Sequence, residues 1–368
     1  MTVTFPRAED SRPSASGAET ATSSPIRFLD LFAGAGGLSI GLAAAGFEPA
    51  GAIEISEDAA NTYEAWHDIE VDRRRLEDLS DSELLQWRDS VQLVAGGPPC
   101  QPWSTGGLRL AEEDGRDGFP AMLRALRIVR PEAFLIENVG GIERGRTRSS
   151  FMTLINSLKE LGYNIVSKTL NAADFGVPQH RRRMFIVGTR SADFVFPVPS
   201  HGPDADHPWV PAGQVVRAEP LGDPNPSIVT YAKRPHLRPS PYDGLLFNGG
   251  GRPINLDQPA RTILASAGGN KTQFVDTQVM VPEYHGLLWD AIAGKPRANY
   301  LRAVRSGEVP GARRITVEES ARLQSFPKEM VFHGTRSAQY TLVGNAVPPL
   351  LAMAVGSAIR SVIASRRK

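Results

Sequence analysis

The chain has 368 residues, with 41 Lys and Arg against 40 Asp and Glu, a formal charge of +1, and 41% hydrophobic residues. That suits one large or two ordinary globular domains, and the near-zero charge neither demands nor excludes a nucleic-acid partner. A single cysteine excludes an intrachain disulfide and any cysteine-cluster zinc site; no signal-peptide core and no apolar run near the ~20 residues that span a bilayer is evident, so the chain reads as soluble and intracellular.

Residues 1–25 are rich in Ser, Thr, Ala and Pro without periodicity and read as a disordered tail. From Ile26 a regular alternation begins. Phe28 to Phe32 reads as a strand, Gly34-Ala35-Gly36-Gly37 as a tight loop, and Leu38 to Ala45 as a helix ended by Gly46. Glu48 to Ile55 is strand-like, with Glu54 near its end; Val91–Ala95, Ala133–Glu137, Ile165–Leu170 and Met184–Gly188 are further strands. Helices lie between them, as at Ala121–Val129 and Phe151–Leu161. Strands alternating with helices predict an α/β fold around a parallel sheet covered on both faces. After about Arg190, Pro, Gly, Asp and His become dense, which predicts a smaller, irregular second domain. Regular patterning returns near Arg313, where Thr316 and Glu319 form a capping-box signature, and Pro349 to Ser365 reads as a terminal helix.

Four places carry chemistry. The first is Asp30-Leu31-Phe32-Ala33-Gly34-Ala35-Gly36-Gly37, a glycine loop between strand and helix, with Glu54 standing 24 residues beyond Asp30, near the spacing of a ribose-binding acid. The loop lacks the three glycine offsets of a dinucleotide site and the lysine of a P-loop, so an adenosyl cofactor without a pyrophosphate fits better. The second is Gly96-Gly97-Pro98-Pro99-Cys100-Gln101: prolines stiffen the turn that carries the lone thiol, at the end of a buried strand, where a nucleophile belongs. The third is Ile136-Glu137-Asn138-Val139, a carboxylate ending an apolar strand on the same sheet edge, able to donate a proton if its pKa is raised by burial. The fourth is Gln179-His180-Arg181-Arg182-Arg183: alternate positions of an extended segment share a face, so Arg181 and Arg183 point together, to clamp a phosphate or a carbonyl oxygen, and Arg182 points away. Between Lys233 and Lys271 stand six basic residues against two acidic, either a phosphate-facing surface or an ordinary solvated one.

These blocks, in this order, resemble the DNA (cytosine-5) methyltransferases. The glycine loop resembles that family's cofactor loop, Gly97-Pro98-Pro99-Cys100-Gln101 its nucleophile loop, Glu137-Asn138-Val139 its acid and Gln179 to Arg183 its paired arginines. Arg314 to Glu319 with Ala321 to Pro327, and Gly344-Asn345-Ala346-Val347-Pro348-Pro349, resemble its ninth and tenth blocks.

The resemblance implies a Rossmann-like S-adenosylmethionine-dependent methyltransferase fold with a smaller irregular, loop-rich target-recognition domain. The divisions would be a catalytic domain over 26–189, target recognition over 190–312, and a return to the catalytic domain over 313–368. It implies catalysis by Cys100, Glu137, Arg181 and Arg183, and an S-adenosyl-L-methionine site built from Asp30, Phe32, Gly34, Gly36, Glu54, Pro98 and Asn345. Duplex DNA would be contacted by Gln101, Ser104, Arg116, Arg252 and Lys271, with Thr105 to Gly118 closing over it. The implied enzyme is a cytoplasmic, bacterial-type monomer without metal or membrane, the modification half of a restriction-modification system. One departure stands out: the acid that should contact the adenine amino group falls at Arg75, with Asp72 and Asp78 as substitutes. A relative that methylates RNA, a silent DNA-binding protein and a Rossmann oxidoreductase are the rival readings; the last leaves the Pro-Pro-Cys turn unexplained.

Overall fold

Seven short stretches rich in β-branched and large apolar residues make the central sheet of the computed structural model: β1 (Arg27–Leu31), β2 (Glu48–Ile53), β3 (Val71–Asp72), β4 (Leu93–Gly96), β5 (Ala133–Val139), β6 (Asn164–Asn171) and β7 (Arg182–Thr189). The structure describes residues 25–99, 118–190, 193–236, 245–248, 253–276 and 311–366, with single positions at 5, 240, 242, 286, 289, 293 and 309. The strand order is β3-β2-β1-β4-β5-β7-β6. Five strands run parallel, as the alternation predicts. β7 does not: it pairs antiparallel with both β5 and β6. The reason is local. Between β6 and β7 lie only residues 172–181, holding one helical turn (Ala172–Phe175), too few for the crossover a parallel neighbour requires.

The helices are α1 (Gly37–Ala44), α2 (Glu57–His67), α3 (Asp81–Leu85), α4 (Phe119–Val129), α5 (Arg148–Glu160), α6 (Val317–Leu323), α7 (Arg336–Asn345) and α8 (Pro349–Ser365). One sheet face, carrying Leu29, Leu31, Val94, Phe134 and Ile136, packs against Met122, Leu126 and Val129 of α4 and Phe151, Leu154 and Leu158 of α5. The other, carrying Phe28, Leu93, Leu135, Phe185 and Val187, packs against Leu38 and Leu42 of α1 and Leu351, Val355, Ile359 and Ile363 of α8. The last helix therefore completes the floor under the first. Their approach is close enough that a side chain at Gly41 would put its Cβ 2.4 Å from that of Ala352. By length and composition Arg336–Ser365 could cross a membrane, contrary to the reading of the sequence. Yet it is two helices, parted after Asn345, and the apolar face of α8 is spent on the sheet.

Beyond β7 the chain forms two small antiparallel ladders, β8 (Tyr231–His236) with β9 (Leu245–Phe247) and β10 (Phe274–Asp276) with β11 (Ala312–Arg314). Val275 of β10 packs with Ala212, Val216, Ile254 and Ile263 in a core shared with Ile315, Leu323 and Tyr340 from the returning chain. Thr316 and Glu319 cap α6 reciprocally, as the pattern predicts.

Candidate active site

The chain leaves β1 toward β2 and β3 on one side and leaves β4 toward β5 on the other, so a crevice opens where the carboxyl ends of β1 and β4 lie side by side. Open α/β sheets bind ligands at such a point. The glycine loop follows β1, the Pro-Pro turn follows β4, and Glu137 lies one strand further, in β5.

The glycine loop needs left-handed backbone at Gly34 (φ 56) and Gly36 (φ 84), and Phe32 is also drawn there (φ 58). Gly34 donates its N–H to Glu54 Oε2 at 2.8 Å, and Ser56 N–H donates to Oε1 at 2.8 Å. Each carboxylate oxygen keeps a free lone pair. Nothing lies within 4 Å of where a Cβ on Gly34 would stand, so the space over the loop is open. Ile55, directly after Glu54, turns an apolar side chain outward at 60% exposure. An acceptor pair, exposed backbone and apolar walls fit a nucleoside carrying a ribose diol. Pro98 is buried beside this crevice and Asn345 is exposed at the end of α7. The turn after Asn345 lies against the loop, with Val347 O 2.4 Å from the Cβ position of Gly37.

Asp30 is fully buried, with Ser39 Oγ donating to its Oδ2 at 2.5 Å. Burial raises its carboxyl to about 7; the Ser39 hydroxyl works against that rise and the nearby Glu54 charge adds to it. Asp72 is gripped by Arg74, at 3.0 Å from Nε and 2.7 Å from Nη2, and the Arg74 hydrogen bonds hold its carboxyl below the ordinary range. Asp78 is exposed at the end of a helical turn, Leu76–Asp78. Arg75 caps that turn, with its Nε 3.8 Å from Glu77.

Glu137 sits at 7% exposure, and the Cβ position of Gly97 is only 3.2 Å from its Oε2. The glycine there lets the nucleophile turn and the acid touch. Register explains the contact, since Gly96 pairs with Ile136. The turn is pinned from both ends: Asn138 Nδ2 donates to Pro98 O at 3.0 Å, and Gly118 N–H donates to Pro99 O at 3.1 Å. Cys100, Gln101, Ser104 and Arg116 lie outside the described residues, as does Arg252. Pro99 and Gly118, which bracket the first four, are hydrogen-bonded to each other, with Phe32 and Pro98 against Gly118.

The two arginines take different partners, though each charge acts on Glu137. Arg183, diagonal to Glu137 across the β5–β7 ladder, brings Nε to 2.8 Å from Oε1. The contact is ionic, and Oε1 makes no well-aligned hydrogen bond. Burial raises the Glu137 pKa, while the positive charges of Arg183 and then Arg181 work against that rise. Arg181 is completely buried, its Nη1 donating to Ile263 O at 3.1 Å and its Nη2 to Gly344 O at 2.7 Å. Gln179, equally buried, accepts from Ile263 N–H at 3.0 Å. Arg182 is exposed. Lys271 lies in the turn Gly269–Lys271 and opens onto a cavity of about 410 Å³ with Arg261, Ile263 and Gln273.

Several residues of this site escaped the reading of the sequence. Ile55 offered no signal beyond its neighbour Glu54. Ser39, Tyr63 and His67 gather under the glycine loop; the one usable sign was Tyr63 and His67 four apart on a helix, hence on one face.

The family model described as C-5 cytosine-specific DNA methylase matches residues 26–213 and 258–361. The chain is 31% identical over 355 residues to the Type II methyltransferase M.AplI of Arthrospira platensis, covering 93% of this chain and 88% of that protein. It is 33% identical over 352 residues to the Type II methyltransferase M1.HphI of Haemophilus parahaemolyticus, covering 91% and 86%. Among solved structures it resembles the S. pombe Dnmt2 methyltransferase in fold, with a TM-score of 0.65 at 18% identity over 94% of this chain and all of that one.

Proposed function

This chain belongs to the C-5 cytosine-specific DNA methylases, and on that premise we propose that it methylates carbon 5 of a cytosine flipped out of a specific short duplex DNA sequence, through a covalent adduct with Cys100, as the modification half of a restriction-modification system. The observation that carries the site assignment is the contact of Glu137 with both Gly97 of the Pro-Pro-Cys turn and Arg183.

The chemistry follows from the groups present. Carbon 5 of cytosine is a poor nucleophile. The Cys100 thiolate adds to carbon 6, forming a C–S bond, and Glu137 protonates or hydrogen-bonds ring nitrogen 3, which takes up the displaced electron density. Burial pushes the Glu137 pKa up, the direction a proton donor needs, against the opposing charges of Arg183 and Arg181. Arg183 holds Glu137 in place and aims at the base. Bound S-adenosylmethionine supplies the electrophilic methyl group that the enamine-like carbon 5 takes. Loss of the carbon 5 proton to solvent and expulsion of the thiolate, with nitrogen 3 returning its proton to Glu137, then restore the aromatic ring. A free thiol has a pKa of about 8.5, so the site must aid ionisation or couple it to addition. Flipping the base costs a few kcal/mol of unstacking.

For the cofactor, Glu54 takes the ribose hydroxyls, Phe32 and Ile55 face the adenine, the backbone at Gly34 and Gly36 lies against the adenosyl and amino-acid portions, and Pro98 and Asn345 close the sides. Asp30 acts from below, since its carboxyl is buried. With Asp72 gripped by Arg74, Asp78 is the better partner for the adenine amino group. Gln101, Ser104, Arg116, Arg252 and Lys271 contact DNA, and the segment 190–312 reads its sequence.

The test is transfer of labelled methyl from S-adenosylmethionine to unmethylated duplex DNA, with base-resolution mapping of the product. Methylation at one short recurrent sequence is expected. Transfer to RNA alone would overturn the DNA assignment. Cys100→Ser is expected to abolish transfer while DNA binding persists; equal loss of both would make the cysteine structural.

A further inference from the structure

Beneath the glycine loop runs a chain of buried polar groups that no step of the chemistry uses. Ser39 of α1 donates its one hydroxyl proton to Asp30 Oδ2 at 2.5 Å. Its oxygen lies 2.9 Å from the Tyr63 hydroxyl. While Asp30 is ionised the serine proton is committed to it, so Tyr63 is the donor there and the chain runs Tyr63 to Ser39 to Asp30. All three residues are fully buried. Tyr63 in turn packs on His67, one helical turn later on α2, with ring centroids 4.3 Å apart. Burial lowers the His67 pKa to about 4, so the imidazole is neutral.

The two rings form the floor of the loop. A Cβ on Gly36 would stand 3.0 Å from His67 Nε2 and 3.0 Å from Tyr63 Cδ2. Gly36 is the left-handed residue that turns the loop into α1, accepting from Ile40 N–H at 2.8 Å and donating to Ala33 O at 3.1 Å. An apolar floor would be simpler, since buried polar atoms left unpaired are costly. Here Asp30 Oδ1 has no partner, and His67 Nε2 makes no well-aligned hydrogen bond although the Gly36 backbone beside it works against the fall in its pKa. What the polar chain adds is geometry: a hydrogen bond tolerates little error in distance or angle, whereas apolar packing can slide.

We propose that the Tyr63–Ser39–Asp30 chain, braced by His67, is a positioning element for the cofactor loop, locking α1 against α2 so that Gly34 and Gly36 are held in their binding conformation before the ligand arrives. This rests on reading the glycine loop as the S-adenosylmethionine site. Tyr63, Ser39 and His67 are positioning residues and do not touch the ligand. They act through Gly36 and, via the first turn of α1, on the N–H of Gly34 that Glu54 accepts.

The experiment is calorimetric titration of the full chain, and of its Tyr63→Phe, Ser39→Ala and double variants, with S-adenosylmethionine. Thermal stability, duplex DNA affinity and kcat at saturating cofactor are measured in parallel. Each single variant is expected to bind cofactor about tenfold more weakly, matching the loss of one charge-linked hydrogen bond. The double variant should lose no more than either single one, because the chain acts as a unit. DNA affinity and kcat at saturation should stay within about twofold, since neither side chain reaches the reacting atoms. Variants that melt earlier yet bind cofactor as the unmodified chain does would overturn the inference and leave ordinary core residues. Additive losses would overturn the relay. Should the unmodified chain itself bind no cofactor, the reading of the loop fails and this inference with it; binding by the unmodified chain and the variants alike sinks this inference alone. Tyr63→Phe keeps the ring and its packing, so it carries the test if Ser39→Ala does not fold.

Discussion

At the scale of single residues, two carboxyls with raised pKa values have opposite assignments. Glu137 lies at the sheet edge against Gly97 and Arg183, where a proton can be handed to a substrate. Glu137→Gln keeps the shape but not the acid. It is expected to lower kcat by about 10²- to 10⁴-fold, the usual worth of general acid catalysis, with cofactor affinity unchanged by titration. Asp30 is buried in the polar chain under the loop, and its pKa is raised to about 7, chiefly by desolvation. A carboxyl whose folded pKa lies above its unfolded one stabilises the fold fully below the unfolded value, and that contribution is lost as pH rises through the folded value. Between about pH 4 and 7 the protein should therefore lose stability, by at most roughly 4 kcal/mol. Asp30→Asn should flatten that slope in denaturant melts run across the same pH range.

At the scale of elements, the segment Gln179–Arg183 does two jobs that one motif conceals. Its last residue faces the acid, while Arg181 staples three separate pieces of chain: the start of β7, Ile263 of the segment before β10, and Gly344 near the end of α7. A guanidinium donating to two backbone carbonyls in a dry interior leaves both unsatisfied when removed. Arg181→Met is expected to cost about 3 kcal/mol, read as an earlier denaturant midpoint. Arg181→Lys should recover only part, because an ammonium cannot span both carbonyls as the planar fork does. Alternation along an extended strand placed Arg181 and Arg183 on one face. That periodicity did not reveal that Arg181 ends among backbone carbonyls of distant segments, because those segments arrive 82 and 163 residues later.

At the scale of the molecule, the returning chain and the leading one meet under the site. Phe5 is 8% exposed and packs with Ala35 of the glycine loop, Ile40, Trp66, Phe326 and Phe332. Composition alone reads residues 1–25 as a tail, since one phenylalanine among small polar residues carries no periodic signal. Phe5→Ala is expected to cost about 1–3 kcal/mol in thermal melts, below the 3–5 of a fully buried core phenylalanine because Phe5 keeps 8% of its surface exposed. A chain beginning at residue 26 should melt at the same point as Phe5→Ala; an unchanged melting point in both would show that Phe5 contributes nothing there.

Local chemistry was readable from the sequence wherever a motif states its own geometry. The glycine loop, the stiff turn before Cys100, the strand-end Glu137 and the capping box at Thr316 are short-range features, fixed by φ restrictions, side-chain alternation and caps. Those follow from the residues alone, as does the α/β alternation. Packing settled the rest: that β7 runs antiparallel, that α8 floors the sheet, that Arg181 and Arg183 take different partners, and that Tyr63 and Ser39 meet Asp30. Each of these is a contact between segments far apart in the chain. Periodicity says which face of an element is buried, but which partner covers it is settled only when the whole core packs.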